Sequence, residues 1–511
     1  MNNHATSRYT ILIPLKGGRS LAYNSMSGAF ALWSDEETAF HERFRGGAPS
    51  ADVDRGALDA FERGGYLLPA HVDELYALRR MYESQRYRQD VMTLTIAPTM
   101  ACNFGCDYCF QGQDKPGETM PVEVQDAIVD LVVRAAPGLR TMGVGWYGGE
   151  PLLRLHVIDA LSARLMDVCA RHDLTYEAMV VTNGFLLDGE AARILAARKV
   201  KTVQITLDGV PEHHDARRHL LSKKGTFSRI ARNLREVASA APELGLSIRV
   251  NIDDRNADEI HRLLDLLAEL GLGNRKNLKV YFAPVEAMTE GCHEIQEACL
   301  SKSDYGRLEA DLYRHGFDLG LTTLPYPPRF HGTCAAIKPK GFVILPSGDV
   351  HKCWDTVSWP EKKVGSIFDL PGLVKSEMAM RWLRWTPFDN ETCRNCKLLP
   401  NCAGACAYKF VHAGDTRGEA AVLPCPSWKY NIKERLLHRA EMMGFVKPGD
   451  YDPAAVETNP MELCADVAVA GGKALPEAMQ REYEAQKKRA KKRRLPLLSA
   501  PEEGALADGA E

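Results

Sequence analysis

Met92-Thr-Leu-Thr-Ile-Ala-Pro-Thr-Met-Ala-Cys102-Asn-Phe-Gly-Cys106-Asp-Tyr-Cys109 joins a β-branched, strand-like run to three cysteines within eight residues. Three thiolates can hold three irons of a 4Fe-4S cluster and leave the fourth iron open to a small ligand, which is what separates a reactive cluster from one that only carries electrons. The competing reading is a zinc knuckle, but that uses four protein ligands in two-by-two spacing. No fourth cysteine stands nearby.

A second segment narrows the choice. Trp146-Tyr147-Gly148-Gly149-Glu150-Pro151 follows the apolar stretch Met142 to Gly145, so a glycine-rich turn bearing a carboxylate ends a second strand. Taken alone, this is also how an ordinary strand-to-helix turn reads. Together the two segments resemble the radical SAM enzymes, whose cluster motif is CxxxCxxC and which carry a Gly-Gly-Glu-Pro segment at this place. The resemblance implies that Cys102, Cys106 and Cys109 ligate the cluster. It also implies that Gly148, Gly149, Glu150 and Pro151 receive the amino group of S-adenosylmethionine (SAM), a role suited to glycine's close backbone approach and a carboxylate acceptor.

The chain of 511 residues is long enough for about three domains. Its apolar fraction of 45% is that of a globular protein, and 64 basic against 67 acidic residues give a net charge of -3. That balance provides no global field for nucleic acid or an anionic membrane, and neither is expected as a partner. Met1 to Thr10 lacks a basic region followed by an apolar core, and no run is long enough to span a bilayer, so the expected location is the cytoplasm. Fourteen cysteines in such a chain point to metal or redox chemistry rather than disulfides.

From residue 92 strand-like and amphipathic helical stretches alternate, the pattern of βα units around a parallel sheet. Six strands are expected: Met92 to Pro98, Met142 to Tyr147, Glu177 to Thr182, Thr202 to Asp208, Leu246 to Asp253 and Leu278 to Val285, with helices such as Val122 to Ala135 and Leu155 to Arg171 between them. Six units fall short of a closed eight-fold barrel, and the resembled family has a partial (β/α)6 TIM-like barrel. Barrel chemistry belongs at the carboxyl ends of strands. The cysteine triplet, Gly-Gly-Glu-Pro, Thr182-Asn183-Gly184 and Thr206-Leu207-Asp208-Gly209 all fall there.

After the fourth strand comes Val210-Pro-Glu-His-His-Asp-Ala-Arg-Arg218. In the resembled family a Leu-Asp-Gly followed by His-Asp and an arginine contacts SAM, which carries onto Arg218 the role of gripping its carboxylate with a guanidinium fork. By the same resemblance Asn183 and Thr206 are ribose or methionine-side contacts, or polar residues finishing their strands. Tyr108 packs near adenine or cluster, or fills core.

Residues 1–88 have another rhythm. Tyr9-Thr-Ile-Leu-Ile-Pro-Leu and Ser20-Leu-Ala-Tyr-Asn read as a β-hairpin across Lys16-Gly17-Gly18-Arg19, and helices are expected over Gly28 to Phe44, Val53 to Arg63 and Val72 to Tyr82. A small sheet with three helices resembles the winged-helix leader-binding domains called RiPP recognition elements. The implied partner is a precursor peptide whose leader adds as a strand to the sheet edge. A packing extension over the barrel's open side is the other reading.

The second cysteine array begins at Cys334, with thirteen residues to Gly348, four to Cys353, then Cys393-x2-Cys396-x5-Cys402-x3-Cys406 and, eighteen residues on, Cys425. These spacings resemble the SPASM domain throughout. The resemblance assigns Cys393, Cys396, Cys402 and Cys425 to one auxiliary 4Fe-4S cluster and Cys334, Cys353 and Cys406 to another. Relatives place a further cysteine where this chain has Pro328, so the second cluster is open or takes another ligand, with His331 the nearest candidate. A zinc site built on Cys393-x2-Cys396 would leave three thiols of the array without a role. Cys169, Cys292, Cys299 and Cys464 lie outside both motifs.

The expected architecture is therefore α/β: residues 1–88 a winged-helix-like α+β domain, 89–320 the barrel, 321–447 the cysteine-rich domain, and 448–511 a helical or disordered tail. The tail holds a basic block, Lys487 to Arg494, read as a solvated terminus. The expected activity is that of a radical SAM/SPASM peptide maturase. SAM is cleaved to a 5'-deoxyadenosyl radical that abstracts hydrogen from a precursor peptide, and an intrapeptide thioether or carbon-carbon crosslink forms. Flavodoxin or ferredoxin is the implied electron donor. An anaerobic sulfatase-maturing enzyme is the main rival; those relatives place an aspartate base directly after the second cysteine of the array, whereas here the order is Cys353-Trp354-Asp355. In an extended strand that one-residue shift turns Asp355 to the other face and weakens it as a base. An iron-sulfur or zinc scaffold without catalysis is the third reading.

Overall fold

A computed structural model describes residues 3–112, 115–323, 333–373, 375–417 and 425–465. Six parallel strands run in order along one sheet: β1 Val91–Ile96, β2 Thr141–Trp146, β3 Thr175–Thr182, β4 Val200–Thr206, β5 Gly245–Ile252 and β6 Leu278–Pro284. Each lies within two residues of its expected bounds. Alternation explains the accuracy. In β1 and β2, Met92, Leu94, Ile96, Met142, Val144 and Trp146 are buried on one face, while Thr93, Thr95, Gly143 and Gly145 take the other. The bulky side chains pack outward on helices including Val122–Ala135 and Leu155–Arg171, both as expected, and the small ones leave the inner face open. A large, mostly parallel sheet of this kind fits a partial barrel.

The sheet ends at β6 but does not stop at β1. Beyond β1, β7 Gly341–Ile344 pairs parallel with it, Gly341 opposite Thr93 and Ile344 opposite Ile96; β8 Asp349–His351 and β9 Gly365–Ser366 then add antiparallel. The array's first strands are thus a continuation of the barrel sheet across the expected boundary at residue 321. Gly348 makes the β7–β8 turn. Its φ of +86° lies where only glycine is comfortable, and an added Cβ would stand 2.8 Å from the Phe368 ring. This accounts for the glycine in the array spacing: the turn delivers Cys353 just past β8.

Near the amino terminus Thr10–Pro14, Ser20–Asn24 and Phe30–Trp33 form an antiparallel sheet, and Asn3–Thr6 pairs with Ala48–Pro49 and Leu67–Pro69 in another. The hairpin is as expected. The helix expected over Gly28 to Phe44 is half wrong, because Phe30–Trp33 is a strand and the helix is Asp35–Glu42. Ser34 accepts from the Glu37 N–H while Glu37 caps the Ser34 N–H, so a capping box starts the helix late. Helices Arg55–Arg63 and Glu74–Arg86 follow, and the second ends on Arg86, which is 1% exposed and donates to the carbonyls of Ile337, Trp382 and Leu383.

Residues 448–465 do not trail as a tail. Val456 and Leu463 share a core with Ile11, Ile13 and Leu21 of the hairpin and Ile432 and Leu436 of helix Trp428–Met442. The basic block from Lys487 lies outside the described residues, as do Pro328 and His331. Among the described residues no helix is long and apolar enough to cross a membrane.

Candidate active site and cysteine centres

The carboxyl ends of the barrel strands surround a cavity of ≈ 620 Å³. Its walls include Cys102, Cys106 and Cys109 together with Tyr108, Gly148, Gly149, Asn183, Thr206, Arg218 and Asp355. Ten of the expected site residues therefore face one space.

The cysteine loop is fixed from two sides. Gly105 N–H donates to the His219 carbonyl and Leu221 N–H to the Asn103 carbonyl, which zips the loop to the segment carrying Arg218. On the other side Gly149 and Glu150 N–H groups donate to the carbonyls of Thr99 and Ala101. The backbones run so close that a Cβ on Gly148 would lie 2.2 Å from the Thr99 oxygen, and one on Gly149 2.2 Å from those of Met100 and Ala101. The two glycines are thus required by the cysteine loop itself, a framework role absent from the expectation that they approach SAM.

Glu150 and Pro151 do not line the cavity. Glu150 is fully buried and its carboxylate accepts from Thr182 Oγ1 (2.7 Å), Asn183 N–H (2.7 Å) and Leu152 N–H (2.9 Å). Three protein donors occupy the group expected to receive the SAM ammonium. Burial, the largest influence, raises its pKa despite those bonds. Asn183, bound to Glu150 through its backbone, donates its side-chain amide to Asn103 Oδ1 at 2.8 Å and so reaches the cysteine loop as well.

Arg218 is 8% exposed. Its Nη1 donates to the Tyr108 hydroxyl at 2.6 Å; that hydroxyl donates to Asp208 Oδ2 and accepts from Asn251 Nδ2 at 3.2 Å. The histidine and aspartate between them build this arrangement. His214 Nδ1 accepts from the Asp208 N–H and its Nε2 meets Thr226 Oγ1, while Asp215 Oδ1 accepts the N–H groups of Thr226 and Phe227 at the start of helix Phe227–Ala240. Burial first, then Arg218 and Arg217, keeps His214 neutral. Arg218 Nε is buried and, among the described residues, has no hydrogen-bond partner although the side chain faces the cavity. A guanidinium with an unused N–H suits a carboxylate, so the donor set fits SAM, and three soft thiols on one wall fit an iron-sulfur cluster.

Sequence reasoning missed Asp208 and Asn251, which organise Tyr108, and Arg255, which donates to Asp107 of the cysteine loop at 2.6 Å and to Asp253. It also missed Arg249, a guanidinium on β5 that faces the cavity and donates to Asn251 Oδ1 at 2.7 Å. Asp208 stood in the quoted Leu-Asp-Gly motif and was open to inspection; the others lie on β5 or in the loop after it, without a local signature.

Asp355 is placed otherwise than expected. Cys353 is followed by a tight 3-10 turn, Trp354–Thr356, so the extended-strand argument fails and the carboxylate reaches the cavity wall. Its Oδ2 lies 3.6 Å from Cys353 Sγ, and burial raises its pKa. Burial first, then the Asp355 charge among other influences, raises the pKa of the thiols of Cys334, Cys353 and Cys406. Trp354 packs at a tilt of 37° against Tyr147, ring centres 3.6 Å apart, and closes the same wall. Cys393, Cys396, Cys402 and Cys425 line a second, smaller cavity of ≈ 30 Å³.

Residues 96–267 match the family described as the Radical SAM superfamily. That stretch is a radical SAM domain. Mycofactocin maturase MftC of Mycobacterium tuberculosis is 32% identical over 181 residues, 35% of this chain and 42% of its own length, so this chain spans under half of that relative. The serine-type anaerobic sulfatase-maturating enzyme of Klebsiella aerogenes is 23% identical over 337 residues, 62% of this chain and 80% of its own. Native anSMEcpe with bound AdoMet shares the fold at a TM-score of 0.52 and 21% identity, over 69% of this chain and 98% of that one. The radical SAM match begins in β1 and ends in helix Ile260–Glu269, covering the triplet, Gly-Gly-Glu-Pro and Arg218.

Proposed function

We propose that the chain is a radical SAM maturase that modifies a ribosomally made precursor peptide, with a thioether or carbon-carbon crosslink as the product. One observation carries the reading: a single cavity has the radical SAM cysteines on one wall and Asp355 and Trp354 of the second array on the other. Its size suits SAM together with one substrate side chain. Relatives named as maturases, including the sporulation killing factor maturation protein SkfB of Bacillus subtilis at 24% identity, point the same way.

A 4Fe-4S cluster on Cys102, Cys106 and Cys109, when bound, supplies the electron that splits SAM into methionine and a 5'-deoxyadenosyl radical. Arg218 holds the SAM carboxylate, with Tyr108 and Asp208 fixing its direction. Arg249 and Asn251 present polar groups to whatever fills the remainder of the cavity. One hydrogen atom leaves the peptide to deoxyadenosine; closing the new bond releases one proton and one electron, two hydrogens in all. Asp355 would take the proton, and the thiols of the second array would hold auxiliary clusters able to accept the electron. The fit of the four-cysteine set rests on its buried neighbour Lys429, a cation that favours a negatively charged centre beside it. Flavodoxin or ferredoxin would supply reducing electrons. In the amino-terminal sheet Thr10–Pro14 and Phe30–Trp33 are the edge strands, and a leader would add to one of them.

Anaerobic incubation of iron-loaded protein with SAM and dithionite tests the reading: 5'-deoxyadenosine is expected, and fully loaded protein that releases none leaves only the scaffold alternative. Co-expression with the precursor should yield a peptide lighter by two hydrogens carrying a new bond between two residues; formylglycine in its place would favour sulfatase maturation.

A further inference from the structure

Lys429 is 4% exposed, and among the described residues its ammonium has no carboxylate partner. Its Nζ donates to Cys464 Sγ at 3.2 Å. The lysine lines the small cavity with Cys393, Cys396, Cys402 and Cys425, and Cys425 and Cys396 are its foremost electrostatic partners, ahead of Cys464. Cys464 is itself buried, hydrogen-bonded to Cys396, and carried on Glu462–Ala465. That turn is anchored where the Leu463 carbonyl accepts from Lys397 N–H at 2.8 Å, one residue after Cys396. Lys433, one helical turn beyond Lys429, pairs with Glu462 at 2.9 Å and holds the turn from the other side.

Burying an ammonium without a counter-charge costs several kcal/mol, so such a group persists where something anionic lies against it. The hydrogen bond from Cys396, with the ammonium itself, lowers the Cys464 pKa to about 7, so that thiol neutralises Lys429 only in part. Four thiolates around a metal centre are the anion this geometry provides for, and each electron the centre accepts adds negative charge beside the same ammonium. Net charge and hydrogen bonds to sulfur are the protein's means of setting a cluster's potential.

We infer that Lys429, held in place by Cys464, is a positioning residue that raises the reduction potential of the four-cysteine centre by compensating its charge. This rests on the proposal that those four cysteines ligate an iron-sulfur cluster, and it assigns a role to a cysteine that belongs to neither motif. The lysine acts through the centre's charge and touches neither SAM nor peptide. Cys464 fixes where the charge stands, so its loss should act in the same direction and by less.

Full-length protein, reconstituted anaerobically with iron and sulfide, would be titrated with dithionite and mediators under electron paramagnetic resonance. The signal lost in Cys393→Ala identifies the four-cysteine centre. In Lys429→Met, at equal iron content, the ratio of reduced to oxidised centre at fixed potential should fall at least tenfold, which is 59 mV for a one-electron couple. Lys429→Arg should restore the parental value, Cys464→Ala should give a smaller fall, and the other signals should not move. Lys429→Met titrating like the parent overturns the inference. If Lys429→Met fails to hold the cluster, Lys429→Arg decides: cluster retained at parental potential supports charge compensation, and cluster lost there too shows that the lysine only fills space. Should Cys393→Ala lose neither iron nor signal, it is the four-cysteine reading that fails.

Discussion

Replacing Glu150 with glutamine separates two roles for the acid of Gly-Gly-Glu-Pro. In the structure its carboxylate is buried and bonded to Thr182 Oγ1, Asn183 N–H and Leu152 N–H at 2.7–2.9 Å. Glutamine keeps the shape and one oxygen, which can serve Leu152 and Thr182; its amide nitrogen then faces the Asn183 N–H, donor against donor. The loss is one charge-assisted bond, ~1.5–3 kcal/mol, with a penalty of ~1–3 kcal/mol for the stranded N–H. Relief from burying a charge offsets part of this, because burial raises the pKa of Glu150. A net destabilisation of about 2–4 kcal/mol is expected, read as a lower urea midpoint at unchanged m for the iron-free protein. Thr182→Val, which leaves the charge but removes the bond to the carboxylate and the one Thr182 Oγ1 accepts from Gly184 N–H, should cost about 2–3 kcal/mol. SAM affinity of the iron-loaded protein, by equilibrium dialysis, should change less than either. A Glu150→Gln protein as stable as its parent that binds SAM more than tenfold more weakly would refute the framework role and return the carboxylate to the SAM ammonium.

Gly149→Ala places a methyl 2.2 Å from two carbonyl oxygens of the segment leading into Cys102, so iron bound at the triplet should fall by more than half in anaerobically reconstituted protein. Arg218→Met should raise the SAM dissociation constant at least tenfold, since it removes the buried guanidinium with its unused N–H; Arg218→Lys should recover little, a point charge being no match for a fork. His41, buried against Trp33 and Phe61, has its pKa lowered to about 4, chiefly by burial. The unfolded chain binds a proton there below pH ~6.5 and the folded one does not, so stability is lost as pH falls from 6.5 towards 4, by about 2 kcal/mol at pH 5. His41→Leu should flatten that part of the stability-pH curve, and an unchanged slope would contradict it.

The barrel strands were legible because a period of two survives on both faces: apolar residues pack outward on helices, and Thr93, Thr95, Gly143 and Gly145 stay small within. The cysteines, Arg218 and Tyr108 were legible as spaced motifs. What escaped were pairings set by the fold alone. Phe30–Trp33 reads equally as the start of a helix until Ser34 and Glu37 are seen to cap a later one. Lys429 and Cys464 are 35 positions apart, Arg86 and Ile337 251, and nothing local to either member announces the other. Asp355 was misjudged for another reason: its displacement was measured along an extended strand, and the chain there turns as a 3-10 helix.

The parallel pairing of Gly341–Ile344 with Val91–Ile96 bears on how this chain can be recombined with its relatives. One backbone ladder indexes the loop of Cys102, Cys106 and Cys109, which leaves β1 at its carboxyl end, against the hairpin that delivers Cys353. A chimera cut at residue 321 would carry that rung pattern with the transplanted half and dock only where the recipient's first strand offers the same step. Slippage by a single residue would displace Cys353 by about 3.3 Å and turn its neighbours over. Exchanging the fragment from Val91 onward as one piece is the graft that preserves the gauge between the two cysteine-bearing walls.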